Sequence, residues 1–147
     1  MTAPPEGSVG RLLVVEDEPS IRLFYERFFT PHGFEVRCVS LAEEARALLL
    51  SDDLEFDAIV LDVQMPGIGG RGLWRFMGES RPEYQARTIF VTGDILGPKT
   101  RELIDRAGRP YLFKPFDNSE LLDHVVAIVE SVRRLREREG GRGYSSA

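Results

Sequence analysis

Residues 57–63 read Asp-Ala-Ile-Val-Leu-Asp-Val, an apolar run that begins after one acidic residue and contains a second near its end. The run is too short for a helix and is apolar at successive positions, so it predicts a strand that is buried on both faces. Strands of this kind occur in parallel sheets that helices cover on both sides. The stretch therefore favours an α/β fold.

Four other short runs repeat this pattern, and each is bounded by Gly, Pro or acidic residues. Amphipathic stretches with helical spacing lie between them. The order of elements is therefore five repeats of a strand followed by a helix, which is typical of one parallel sheet with helices on both faces. The predicted strands cover residues 11–15, 34–39, 57–63, 88–92 and 111–113.

Start and stop signals place the helices. The first begins at Pro19, and Ser40 is predicted to cap the second, with Glu43 as the acid of a capping box. Apolar residues cover a wide arc of the last helix, which indicates either one broad buried face or an exposed stripe for a partner. The remaining helices are predicted at residues 72–78, at 98–108 and from 117 or 118 to about 139.

Length and composition limit the possible functions. The 147 residues fit one domain, predicted at 11–132, with a flexible tail at 1–10 and, at 133–147, the end of the last helix and a second flexible tail. No apolar run is long enough to span a membrane. The net charge of −5 argues against direct binding to nucleic acid. A single cysteine and the lack of signal-peptide features predict a cytoplasmic protein.

Polar residues follow four of the predicted strands. Glu16 and Asp17 follow the first strand, Asp62 lies near the end of the third, Thr92 closes the fourth and Lys114 follows the fifth. The carboxyl ends of parallel strands meet at one edge of a sheet, so we expect these side chains to converge. Three acids beside one lysine carry excess negative charge, which a divalent cation would offset.

These residue types suit phosphate chemistry. Oxygen ligands favour Mg²⁺, for which we predict Asp17 and Asp62 as ligands. An aspartate can act as a nucleophile toward phosphorus, and Asp62 is the best placed because its strand is central. Thr92 and Lys114 would contact phosphoryl oxygens, and the next residue after Thr92, Gly93, would allow a close backbone approach.

Together with Met65-Pro66-Gly67 and Pro115-Phe116, these residues resemble the motifs of the receiver domain of two-component response regulators, over about residues 11–132. The resemblance implies a flavodoxin-like (βα)5 fold in a single domain. It also implies transfer of a phosphoryl group to Asp62 from a histidine kinase or a histidine phosphotransfer protein. The module would be a signalling receiver rather than an enzyme, although it would assist its own phosphorylation and dephosphorylation.

The resemblance also assigns roles to individual residues. Asp17, Asp62 and the backbone carbonyl of Gln64 would hold Mg²⁺, with Glu16 acting through water. Lys114 and Thr92 would bind the phosphoryl group, and the Lys114–Pro115 peptide bond would be cis.

A conformational switch is implied as well. Tyr111 would turn inward when Thr92 moves, unless its ring is static. Gln64 and Asp94 would flank the path of the hydrolytic water, and we hypothesise that Asp94 affects the lifetime of the phosphate. The output face would comprise the helix from Pro98, the strand at 111–113 and the last helix, and it would serve a homodimer or an effector.

Two questions stay open at this point. The stretches 91–94 and 108–111 resemble receivers at the C-terminus of hybrid histidine kinases, so the chain is either a free-standing regulator or a fragment of such a kinase. The alternatives in function are a haloacid dehalogenase-type phosphatase with an aspartate nucleophile and a receiver-shaped scaffold that is not phosphorylated. Gln64 argues against the phosphatase, which has an acid at that position, and the complete set of site residues argues against the scaffold.

Overall fold

A computed structural model of the protein describes residues 7–93 and 97–145, with side chains described as far as residue 139. Five strands form one parallel sheet in the spatial order second, first, third, fourth, fifth. This arrangement confirms the predicted parallel sheet, and it places the third strand at the centre. The strands are β1 Gly10–Val15, β2 Phe34–Val39, β3 Ala58–Asp62, β4 Thr88–Thr92 and β5 Tyr111–Phe113.

Helices cover both faces of the sheet. A single 3₁₀ turn at Thr30–His32 follows the first helix, and Gly33 then adopts a left-handed conformation with φ of 94°. The helices are α1 Pro19–Phe29, α2 Ala42–Leu50, α3 Gly69–Ser80, α4 Pro82–Gln85, α5 Pro98–Ala107 and α6 Asn118–Ser145.

Alternate residues of the strands build two separate cores. Leu12 and Val14 of β1 face a core shared with α1 and α6, whereas Leu13 and Val15 face a core shared with α2 and α3. All four side chains are almost completely buried. The continuous apolar run of a strand is therefore explained by burial on both faces, as the sequence predicts.

Helix α3 is longer than the predicted segment at 72–78 and begins at Gly69 in spite of its glycines. One of these glycines is required by packing, because a Cβ on Gly70 would lie 2.7 Å from the backbone oxygen of Asp62 and from the Cα of Val63. The short helix α4, which the sequence analysis did not predict, follows directly. Close packing of α3 against the end of β3 thus outweighs the low helix propensity of glycine.

The predicted capping box of the second helix is wrong. Helix α2 begins at Ala42, and its N-cap residue, Leu41, makes no side-chain capping hydrogen bond. The Ser40 hydroxyl instead lies 3.1 Å from the Glu44 carboxylate. The Glu43 carboxylate accepts a hydrogen bond of 3.0 Å from the backbone N–H of Ile68, so a contact with the loop after β3 replaces the local cap.

Both ends of the domain extend beyond the predicted elements. Gly10 belongs to β1, and the backbone N–H of Val9 donates to Gly33 at 2.9 Å. Helix α6 continues to Ser145 rather than ending near 139, since glycines weaken a helix by about 1 kcal/mol each without forcing it to end. Residues 1–6 and 146–147 of the predicted tails lie outside the described residues.

The wide apolar arc of α6 is mostly a single buried face. Its main positions pack into the core on the α1 side of the sheet, and only Leu135, which is 50% exposed, departs from this pattern. In the part of the chain that the structure describes, no helix has the length and apolar character needed to cross a membrane. The buried residues of the arc are Leu121, Val125, Ile128, Val129 and Val132.

Candidate functional site

The side chains predicted from the strand ends converge at the carboxyl edge of the sheet. The Lys114 ammonium donates to Asp62 Oδ2 at 3.0 Å and to Glu16 Oε2 at 3.4 Å. Both acids are nearly buried, with exposed fractions of 4% for Asp62 and 1% for Glu16. Residues that are far apart in the chain therefore meet because their strands are parallel.

Three carboxylates share this pocket. Glu16, Asp17 and Asp62 each offer an oxygen, and these oxygens lie within 4.8 Å of one another. Asp17 is exposed, so the group opens to solvent on one side. A cavity of about 310 Å³ lies above it, and its wall also includes Gln64 and Gly93.

The electrostatics of the pocket are unbalanced. Burial and, to a smaller extent, the neighbouring Asp62 carboxylate together raise the pKa of Glu16 to about 8, against the opposing effect of Lys114. Burial alone would lower the pKa of Lys114, but its ion pairs with Asp62 and Glu16 outweigh burial and raise it. Three carboxylates with a single ammonium, open to solvent on one side, fit a hard divalent cation such as Mg²⁺.

Each oxygen of Asp62 has its own donor. Oδ2 accepts from Lys114, and Oδ1 accepts from the backbone N–H of Gln64 at 3.0 Å. The loop that carries Gln64 is fixed at its far end by the Glu43–Ile68 hydrogen bond. Sequence analysis missed this role of Glu43, because the contact joins residues that are 25 positions apart and no local pattern signals it.

Thr92 and Lys114 are linked through their backbones. Thr92 is completely buried at the end of β4, and its carbonyl accepts a hydrogen bond of 2.8 Å from the N–H of Lys114. Gly93 is exposed at the cavity, and a Cβ on it would meet nothing within 4 Å. The Lys114–Pro115 bond is cis, as the resemblance implies.

One predicted residue, the switch residue Tyr111, does not line the pocket. Tyr111 is 45% exposed, and its ring packs edge-on against Phe113 with the centroids 5.4 Å apart. Asp94 lies outside the described residues, and its effect on phosphate lifetime stays a prediction.

Comparison with known proteins identifies relatives that share this fold. In amino-acid sequence, the chain is 34% identical over 121 residues to the CAI-1 autoinducer sensor kinase/phosphatase CqsS of Vibrio cholerae, covering 81% of this chain and 17% of that protein. It is 39% identical over 121 residues to Protein PetR of Rhodobacter capsulatus, covering 82% of this chain and 49% of that protein. The chain thus spans about half, or less, of the length of these curated relatives.

Solved structures give the same result. The CheY-like response regulator receiver domain protein of Methanospirillum hungatei has a TM-score of 0.74 at 23% identity, covering 86% of this chain and 98% of that chain. The receiver domain of the sensor histidine kinase PA1611 of Pseudomonas aeruginosa, described with a magnesium ion in its active site cleft, has a TM-score of 0.71 at 25% identity, covering 82% and 98%.

A family model adds the decisive match. The model of the response regulator receiver domain matches residues 12–126, which include every site residue described above. Receiver domains of this family accept phosphoryl groups in two-component systems, and the match gives no support to the haloacid dehalogenase-type phosphatase. The fold, the acidic pocket with its lysine and this match together show that the chain belongs to the response regulator receiver domain family.

Proposed function

We propose that this receiver domain takes a phosphoryl group from a phosphohistidine onto Asp62, with Mg²⁺ bound in the same pocket. The observation that carries the proposal is the position of Asp62. It is a nearly buried carboxylate at the end of the central strand, with an ammonium at 3.0 Å and two further carboxylates nearby. Asp62 has the protein environment that a phosphorylated carboxylate requires.

In the proposed reaction, an oxygen of Asp62 bonds to phosphorus while the bond from phosphorus to the imidazole nitrogen of the donor breaks. The electron pair of the broken bond stays on the imidazole. Lys114 already contacts Oδ2 of Asp62, so its ammonium is placed to compensate the charge of the incoming phosphoryl oxygens. The Gln64 N–H keeps the carboxylate oriented through Oδ1.

We infer the metal ligands from the resemblance to receiver domains, and the three carboxylates of the pocket support the assignment. Asp17, Asp62 and the carbonyl of Gln64 would hold Mg²⁺, with Glu16 acting through a water molecule. When bound, the ion neutralises negative charge between the acceptor and the phosphoryl group. The magnesium ion described for the related PA1611 receiver supports this assignment.

Phosphorylation would change the surface through Thr92 and Tyr111. Thr92 is buried beside the pocket, and its carbonyl accepts a hydrogen bond from the N–H of Lys114. A shift of Thr92 toward the phosphoryl group would therefore displace the end of β5. Tyr111 lies on β5 with its ring exposed, and it would turn inward. The output face for a homodimer or an effector would then comprise α5, β5 and α6.

Receiver domains interact with histidine kinases or phosphotransfer proteins, and the donor must reach the open side of the pocket. An apolar surface lies beside the pocket. Phe24 of α1 is 38% exposed, and a hollow of about 170 Å³ between α1 and the segment after β5 includes Phe24 and Phe116 and shares Lys114 with the acidic pocket. We therefore place the donor against α1, with both proteins in the cytoplasm.

Intact mass after incubation with acetyl phosphate and Mg²⁺ tests the proposal. The parent protein should gain one phosphate, and an Asp62→Asn variant should gain none. Asp105→Asn, which changes an exposed aspartate of α5, is the matched control and should behave as the parent does. Addition of EDTA should suppress the gain. An unmodified parent, or an Asp62→Asn protein that still gains phosphate, would contradict the proposal.

A further inference from the structure

We propose that a cleft between α3 and α5 binds the diphosphate group of a small anionic ligand. The cleft has a volume of about 190 Å³ and shares no lining residue with the acidic pocket. Two helices form its walls. It is lined by Arg71, Trp74, Arg75, Glu102, Leu103 and Arg106.

The charge of the cleft is opposite to that of the whole protein. Three arginines face one glutamate in a chain whose net charge is −5. Arg106 pairs with Glu102 at 3.3 Å across an exposed helical turn, an arrangement that contributes little to stability. In residues 7–93 and 97–139, neither Arg71 nor Arg75 forms an ion pair. Their guanidinium groups are therefore available to an external anion.

The spacing of the arginines favours a ligand with two phosphates. Arg71 and Arg75 lie one helical turn apart on the same face of α3, and Arg106 lies across the cleft on α5. A guanidinium binds phosphate through two parallel hydrogen bonds, and three such groups on two walls exceed what one phosphate needs. The cleft is smaller than the roughly 300–1,000 Å³ of a site that encloses a whole drug-sized ligand. It therefore suits a compact diphosphate group.

Trp74 forms an apolar wall of the cleft, and its fluorescence can be used to detect ligand binding there. Its half-buried ring packs edge-on against Phe90 of β4, with the centroids 5.0 Å apart. The sequence contains only this one tryptophan. Ligand binding in the cleft should therefore change the tryptophan fluorescence of the protein directly.

Fluorescence titrations with inorganic pyrophosphate and with ADP test the proposal. EDTA is included so that no ligand is held in the acidic pocket through a metal ion. Both ligands should give a saturable change. An Arg71→Ala/Arg75→Ala double variant should weaken binding by at least about tenfold, because two charged hydrogen-bond donors are lost. Arg101→Ala, on the same α5 but outside the cleft, should leave binding unchanged.

A variant with the opposite effect makes the test sharper. Glu102→Gln removes the one acid of the cleft and releases Arg106, so it should tighten binding. Equal affinity for the two ligands would show that the diphosphate alone is recognised, and tighter binding of ADP would show that the nucleoside adds contacts on the Trp74 side. The proposal is overturned if the double variant binds as the parent does, if Arg101→Ala weakens binding equally, or if sulfate at matched ionic strength gives the same change.

Discussion

The amino edge and the carboxyl edge of the sheet both contain buried acids, but the two edges differ in how many cationic side chains offset that negative charge. At the amino edge, three acids meet three arginines; at the carboxyl edge, three acids meet one lysine. Charge balance therefore distinguishes an edge that stabilises the fold from an edge that is prepared for a cation and a phosphoryl group. The ion pairs of the amino edge are Arg11–Glu35 at 2.6 Å, Arg87–Glu55 at 3.0 Å, Arg136–Glu55 at 3.0 Å and Arg136–Asp57 at 2.7 Å.

The difference in charge balance has opposite effects on the pKa values of two glutamates, one at each edge. Burial acts to raise the pKa of Glu55, but Arg87 and Arg136 outweigh it and lower that pKa. At the opposite edge, burial and Asp62 raise the pKa of Glu16 in spite of Lys114. An acid with enough cationic partners stays ionised and stabilises the structure, whereas the acids of the other edge need an additional cation.

The largest effect is expected from Asp57→Ala at the amino edge. Asp57 is 1% exposed, pairs with Arg136 and accepts a 2.7 Å hydrogen bond from the N–H of Arg11. Removing one partner of a buried pair should lower the free energy of unfolding by about 3–5 kcal/mol. Urea denaturation measures the loss, with Asp123→Ala, an exposed aspartate of α6, as the control. A loss no larger than that of the control would show that the amino edge does not stabilise the fold.

A smaller effect is expected from shortening α6. A chain that ends at Val132, the predicted domain boundary, lacks Arg136 and leaves Asp57 and Glu55 without that partner. It should lose about 1–3 kcal/mol relative to a chain that ends at Glu139. The full-length Arg136→Gln variant separates the ion pairs from helix length. If the two shortened chains unfold at the same urea concentration, the domain does end at 132.

Lowering the pH should weaken the ion pairs that Glu55 makes at the amino edge, and the resulting loss of stability should be smaller than that of the two changes above. Its pKa is lowered in the folded protein from an ordinary 4.5, so its stabilising contribution is complete above about pH 4.5 and is lost as the pH falls through the folded value. The parent should therefore unfold at a higher urea concentration than Glu55→Gln at about pH 6, and this difference should shrink as the pH is lowered to about 3. A difference that is constant over this range would rule out this linkage.

The smallest change in stability is expected from Asp62→Asn at the carboxyl edge. The substitution removes one of the crowded carboxylates, and the relief of repulsion with Glu16 should offset the lost pair with Lys114. The free energy of unfolding without divalent cations should stay within about 1 kcal/mol of the parent value or rise. A loss as large as that of Asp57→Ala would remove the contrast between the two edges.

The carboxyl edge could be predicted from the sequence, and the amino edge could not. Asp62, Thr92 and Lys114 each follow a short apolar run, so parallel strands alone are enough to bring them together. Arg136 lies in a segment that reads as a solvated helix end, and nothing local indicates that it reaches Asp57. The same limit explains Glu43, whose pattern suggested a local cap although its partner lies in another loop.

The central position of β3 has a mechanical consequence. It is bonded to β1 on one side and to β4 on the other, and beyond its end the N–H of Val63 still donates to Val91 at 3.0 Å. Because neighbouring strands hold β3 on both sides, Asp62 cannot move together with a phosphoryl group that it accepts. We therefore expect Asp62 to act as a fixed anchor, so that the displacement on phosphorylation is taken up by the more weakly held segments around it.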